Sequence, residues 1–337
     1  LRSAARRWWF GALALASAAG GRGEAQGAPW LPRLRLANDA YNFWKIPALR
    51  PDEEYTNGVA IGFESLRGTW WSRRLSGVPR ACRIGDPSSG LCVTTHVGIG
   101  QDIYTPDLAR PPFAVPDWED ERPYAAWLYV TGAAHRVSPR ALRVIDVSLG
   151  VVGPAALGEF AQGVAHRINR GFTERAEGWE TQVGGEPGLL IGVRQQILAL
   201  RLATGEKGML DLAPFAGAVL GNVRTGLDLG GRLRLGYNLS HPWDPRAWRG
   251  RPPVEFFATA GGRMGYVARD FSLDGTLLRG GRRVERVPVV SEYEFGLGLR
   301  LHALSLGWTA TTRGREYRTG PRHHSFSAMT AAWELVR

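Results

Sequence analysis

Apolar and polar residues alternate along most of this chain with a period of two. From Leu227, apolar side chains recur at Leu229, Leu233, Leu235, Tyr237 and Leu239. Asp228, Gly230, Arg232, Arg234, Gly236 and Asn238 stand between them. Tyr293, Phe295, Leu297, Leu299 and Leu301 alternate with Glu292, Glu294, Gly296, Gly298 and Arg300. Leu304, Leu306, Trp308 and Ala310 form another row, as do Leu210, Leu212, Ala216, Ala218 and Leu220. This is the pattern of strands with two unlike faces. It predicts strands at about 32–42, 54–66, 92–104, 123–136, 140–152, 187–203, 207–222, 225–239, 254–268, 286–301, 303–313 and 323–336. One segment departs from it. Pro154 to Arg170 reads as a helix that starts at a proline, with Glu159, Gln162 and His166 on one face.

Strand length separates the two architectures that fit. Strands of a soluble sandwich are typically about five or six residues, whereas these often exceed about nine to eleven, the length that crosses a membrane. The reading is therefore all-β: a twelve-stranded antiparallel transmembrane β-barrel with one short helix in an extracellular loop. Twelve is even, as single-chain bacterial barrels require. The last strand carries Phe326, Met329 and Trp333 but ends in Arg337, not in an aromatic residue.

Composition agrees. Of 337 residues, 44% are hydrophobic and 22% charged, too apolar for a disordered chain. No run of about 18 apolar residues occurs, so a bundle of spanning helices is excluded. The formal net charge is +11, and Lys45 and Lys207 are the only lysines. Guanidinium groups suit phosphate groups of many kinds, so this charge does not by itself call for nucleic acid. Arg2, Arg6 and Arg7 precede an apolar stretch from Trp8 to Ala16 and small residues at Ser17–Ala19. Residues 1–26 thus read as a secretory signal, leaving 27–337 as an exported barrel in a Gram-negative outer membrane. Cys82 and Cys92 suit an oxidising compartment as a disulfide, with two free thiols as the other reading.

With the N-terminus on the periplasmic side, the polar motifs of the first half gather at the outer rim. They are Asn38-Asp39, Tyr55 to Gly58, Gln101 to Pro106, Arg122 to Tyr124, Gly153-Pro154 and Gln182. The strands of the second half show no comparable cluster. Leu34, Leu36 and Asn38 share one face of the first strand if it stays regular, which puts a polar residue at the rim of the lipid-facing row. Water-facing rims also collect polar residues with no catalytic purpose.

Taken in order, these stretches resemble the lipid A 3′-O-deacylase family of LpxR-like outer-membrane enzymes. The matching residues are Asn38-Asp39, Tyr55-Thr56-Asn57-Gly58, Gly100-Gln101 with Tyr104-Thr105-Pro106, and Arg122-Pro123-Tyr124-Ala125 with Trp127-Leu128-Tyr129. They continue with Gly150 to Pro154, Gly158-Glu159, Gln162, His166, and Gly178-Trp179 with Gln182. The resemblance implies a twelve-stranded barrel that hydrolyses the ester holding the 3′ acyloxyacyl chain of lipid A. It implies His166 as general base and a calcium ion (Ca2+) at Asp39. Asn38 would position ion or substrate, and Thr56 and Gln162 would complete the polar shell. From spacing alone, Glu159 could orient His166. The implied partners are lipopolysaccharide as substrate and the surrounding outer-membrane lipid. Ala37 and Ala126 depart from residues usual in the family, and neither lysine stands where the family often has one near the site. A phospholipase barrel and a non-catalytic porin-like barrel are the competing readings.

Overall fold

The computed structural model describes residues 30–38, 54–106, 120–168 and 178–333, without the side chains of 38, 54–57, 166 and 168. The expected signal, Asp39 and Lys45 lie outside the described residues.

Strands β1 (Leu31–Asn38), β2 (Glu54–Ser65), β3 (Cys92–Thr105), β4 (Ala125–Val137), β5 (Ala141–Val152) and β6 (Glu186–Ile197) pair antiparallel with their neighbours in sequence. A four-residue β7 (Leu200–Ala203) continues β6. Both pair with β8 (Gly208–Gly221), and Ala199 N–H still donates to Leu212 C=O across the break. The two are one interrupted strand of the ring. β9 (Arg224–Tyr237), β10 (Val254–Asp270), β11 (Val289–Leu301), β12 (Leu304–Gly314) and β13 (His323–Trp333) follow, and β13 pairs with β1. The ring therefore closes as twelve strands, with no free edge.

Alternation sorts the side chains as the sequence pattern requires. Leu227, Leu229, Met264, Leu235 and Leu297 face outward and are exposed. Tyr266 and Tyr293 mark one margin of this apolar belt, and Tyr237, Phe256 and Trp333 the other. Such girdles sit at the two membrane–water boundaries. The first and last described residues, Trp30 and Trp333, lie at the second margin, together with the short turns at 138–140, 204–207 and 302–303. Short turns mark the periplasmic end. Lys207 lies in one of these turns, far from the outer rim. No helix among the described residues is long and apolar enough to cross a membrane.

The inward rows carry the charges. Arg194 pairs with Asp228 at 3.4 Å, Arg201 with Asp211 at 2.7 Å, and Arg232 with Glu294 at 2.6 Å. Arg263 and Arg313 share Glu292 at 2.7 and 2.9 Å, and Arg300 reaches Glu255 at 3.1 Å. Arg234 joins Asp211 as well. Most pairs bridge different strands, so the lumen wall is laced with ion pairs around a cavity of about 670 Å³. This explains the Asp, Glu and Arg residues that interrupt the apolar rows: their faces never meet lipid.

The helices exceed the single one expected. α1 (Trp70–Ser76) lies in the periplasmic connection between β2 and β3. α2 (Gly158–Ile168) falls within the predicted helix, preceded by a 3-10 turn at Pro154–Ala156. α3 (Phe271–Asp274) opens another outer loop. α1 and α3 span at most two turns, too short for the 3.6-residue period to show in sequence. Cys82 and Cys92 are bonded, with Cα atoms 4.9 Å apart. The loop they close packs beneath the barrel against the connection at 238–253. Arg246 donates to the carbonyls of Ser88, at 3.0 Å, and Gly90. Trp243 packs on the disulfide with Val137 and Leu142.

Candidate functional site

The described parts of the six polar motifs converge on one rim, the end opposite Trp30 and Trp333. β1 runs without a bulge through Asn38, which stands between Ser327 of β13 and Asn57 of β2. β2 does have an irregularity: Tyr55 pairs with Tyr104 and Asn57 with Ile103, leaving Thr56 as the extra residue. Bulges of this kind re-aim side chains at strand ends. Register then carries the row on from Asn57 to Ile103 and Ala126. With strands about 4.8 Å apart, Asn38 is about 10 Å from Ile103 across the sheet.

α2 lies directly over that neighbourhood. Ile103, Ala126, Tyr124, Ala156 and Trp179 form a buried cluster, with Leu128, Val151 and Ala161 packed against it. Ile103, Ala126, Leu128 and Val151 belong to outward rows, so α2 covers the outer wall of the barrel and not its mouth. Gly158 permits the close approach, since a Cβ there would meet the Trp179 ring and stand 2.6 Å from the Ala126 methyl. Gly153 makes the turn from β5 with φ 78°, and a Cβ there would strike the carbonyls of Val183 and Gly184. On the side away from the wall, Leu157 and Phe160 are exposed, at the height where lipid begins.

Of the expected site residues, Gln162 is fully placed. It is buried at 2% exposure, and its Oε1 accepts a hydrogen bond from Trp179 Nε1 at 2.8 Å. The bond ties α2 to the 3-10 turn Trp179–Thr181. His166 follows one turn later on the same helix, so its backbone shares that wall. Glu159 is exposed in the first turn of α2 and does not share the buried setting of Gln162. The side chains of Asn38, Thr56 and His166, and the whole of Asp39, lie outside the described residues. The structure thus brings together the backbones of Asn38 and Thr56 and the helix that carries Gln162 and His166. Among the described residues, no group of three His, Cys, Asp or Glu side chains is arranged to hold a metal.

The expectation that the second half has no polar cluster at the rim is overturned. Inside the mouth, Arg122 is fully buried, with its guanidinium over the rings of Tyr104 at 5.1 Å and Tyr317 at 5.8 Å. It donates to Ser272 Oγ at 3.3 Å and faces Glu316 at 3.6 Å. Arg313 contacts Glu316 at 3.2 Å, and Tyr317 OH donates to Glu121 at 2.8 Å. Burial alone would raise the Glu316 carboxyl. The guanidiniums of Arg313 and Arg122 outweigh it and hold the group down at about 2. The network stitches Glu121–Arg122 to the loops after β10 and β12 at the mouth of the barrel. The signal for it in the sequence was the inward Glu292, which stands in register opposite Arg313.

Comparison with known proteins agrees with this architecture. The profile of the family described as outer membrane protein LpxR matches residues 9–335. LpxR from Salmonella typhimurium superposes with a TM-score of 0.70 at 20% identity, covering 90% of this chain and 100% of that one. The β domain of the Bordetella autotransporter BrkA gives 0.45 at 11% identity, covering 92% and 99%. No curated protein sequence matches significantly. A closed barrel with a helix on its outer wall, and a profile that runs along nearly the whole sequence, place the chain in the LpxR family of outer membrane proteins.

Proposed function

We propose that this protein is a lipid A 3′-O-deacylase, hydrolysing the ester of the 3′-linked acyloxyacyl chain of lipid A at the cell surface. The observation that carries this reading is the seat of α2. The helix that bears His166 lies on the lipid-facing wall at the outer rim, where an acyl ester of the outer leaflet can reach it without entering the barrel. The lumen wall carries paired charges around a cavity of about 670 Å³, and the proposed hydrolysis routes no substrate through it.

In the proposed chemistry, neutral His166 takes a proton from water, and the resulting hydroxide attacks the ester carbonyl. The C–O bond then breaks, the sugar oxygen regains a proton, and a fatty acid leaves. Gln162 holds α2 at its height through Trp179, and thereby His166. Asn38 and Thr56 supply polar atoms for the ester and its neighbours. The donor chemistry suits calcium: Asp39 contributes a carboxylate and Asn38 an amide oxygen, and hard cations take oxygen ligands. When bound, the ion would supply Lewis acidity at the carbonyl.

The test is to incubate folded protein with lipid A and calcium, then with phospholipid, and weigh the products by mass spectrometry. Loss of one acyloxyacyl group is expected from lipid A, and His166→Ala should abolish it while heat-modifiable mobility persists. Lysophospholipid as the sole product would make the protein a phospholipase. Activity surviving in His166→Ala would remove the histidine from the mechanism, and activity unchanged by chelation would remove the metal.

A further inference from the structure

α1 is not needed to close the ring, and the proposed hydrolysis does not use it. It is nonetheless held firmly on the outer wall of β3 and β4. Thr69 N–H donates to Thr95 Oγ1 at 3.1 Å, and Ser72 and Thr95 share a hydroxyl hydrogen bond at 2.7 Å. Trp71 lies against Gly132, where a Cβ would stand 3.3 Å from the ring. Val78 packs with Val93 and Ala134 just beyond the helix. Thr95 pairs with Ala134, four residues from the lipid-facing pair Ile99 and Val130, which are 50% and 56% exposed. That is about 13 Å along a strand, so α1 lies at the periplasmic edge of the apolar belt.

What α1 leaves uncovered has a consistent chemistry. Trp70 is 79% exposed and Leu75 44%. Arg67, Arg73 and Arg74 are exposed around them. The acids nearby are engaged elsewhere: Asp86 with Arg80 at 2.6 Å, and Glu64 with Arg33 inside the lumen. Among the described residues, no carboxylate is paired with Arg67, Arg73 or Arg74. An indole favours the membrane–water boundary, and unpaired guanidiniums at that height meet headgroup phosphates.

We propose that α1 is an interfacial anchor that binds anionic phospholipid of the periplasmic leaflet. Arg67, Arg73 and Arg74 take the headgroup, while Trp70 and Leu75 lie at the acyl boundary. Each arginine near an anionic surface contributes on the order of fivefold to affinity, so the three together contribute about a hundredfold at low salt.

The test is native mass spectrometry of the whole protein in mild detergent, titrated with phosphatidylglycerol, phosphatidylethanolamine or lipid A. The intact protein should retain phosphatidylglycerol over phosphatidylethanolamine. The triple variant Arg67→Gln, Arg73→Gln, Arg74→Gln should lose about a hundredfold for phosphatidylglycerol and little for phosphatidylethanolamine. If the triple variant does not fold, Arg74→Gln alone should lose on the order of fivefold. Equal retention of the two phospholipids by the intact protein would overturn the proposal. So would undiminished phosphatidylglycerol binding by a folded variant, or lipid A binding lost through the same arginines.

Discussion

The hydrogen bond from Trp179 to Gln162 permits a quantitative test of how α2 is held. Gln162→Leu keeps the volume roughly constant and removes the acceptor of a buried indole N–H. Leaving such a donor without its acceptor costs about 1–3 kcal/mol. Trp179 is 3% exposed and Gln162 2%, so water cannot easily make up the loss. The cost should appear locally, because α2 hangs on the wall while the ring is held by its own ladder. The opening equilibrium of α2 should then rise by roughly fivefold to 150-fold. Hydrogen exchange of the α2 amides in a nanodisc measures this directly, with the β10 and β11 amides as the unchanged reference. Trp179→Phe alone should give a comparable loss, and the double variant should cost less than the sum of the two. If Gln162→Leu leaves α2 exchange unchanged, the bond does not hold the helix. Any loss of activity would then have to come from Gln162 acting on substrate.

Gly158→Ala should push α2 off Trp179 and Ala126 at a cost of about 1–3 kcal/mol, seen as faster protease cleavage within 153–185 while heat-modifiable mobility persists. Glu316 gives a pH signature: its folded pKa, about 2, lies below its ordinary value. Its stabilisation is therefore full above about pH 4.5 and lost as pH falls toward 2. Loop proteolysis should rise in that window in the wild type. Glu316→Gln, which removes the carboxylate facing Arg122 and Arg313, should be sensitive already at neutral pH. Replacing Cys82 and Cys92 by serine opens a loop of sequence separation 10, worth at most about 3 kcal/mol by loop closure. Protease nicking of the 83–91 segment should rise without loss of the barrel.

Much of the barrel was readable because a membrane imposes a simple rule, lipid on one face and lumen on the other. The rows Leu227–Tyr237 and Tyr293–Leu301 obeyed it, whereas Leu239 lies past the end of β9 and is buried in the connection that follows. The break between β6 and β7 was invisible, since a single irregularity at Leu198–Ala199 barely disturbs the alternation. Thr56 could be picked out as polar but not as a bulge, which only the register with Ile103 and Tyr104 reveals. The outward seat of α2 also escaped the sequence. Its wall side, with the 3-10 turn before it, is made by small residues, Ala156, Gly158 and Ala161, which carry little hydrophobic signal. The Arg122 network was missed for a different reason: its members come from sequence positions up to about two hundred residues apart, from Glu121 to Tyr317.

The laced lumen also constrains how this sequence can change. Asp211 serves both Arg201 and Arg234, and Glu292 serves both Arg263 and Arg313. Losing Asp211 takes the paired carboxylate from two guanidiniums at once, and losing Glu292 takes it from Arg263 and leaves Arg313 with Glu316 alone. Each guanidinium can fork across strands in a way lysine cannot. Viable descendants of this protein should therefore alter interior charges in sets, with an acid and its arginines appearing or vanishing together. The outward leucines face only lipid and can drift one at a time.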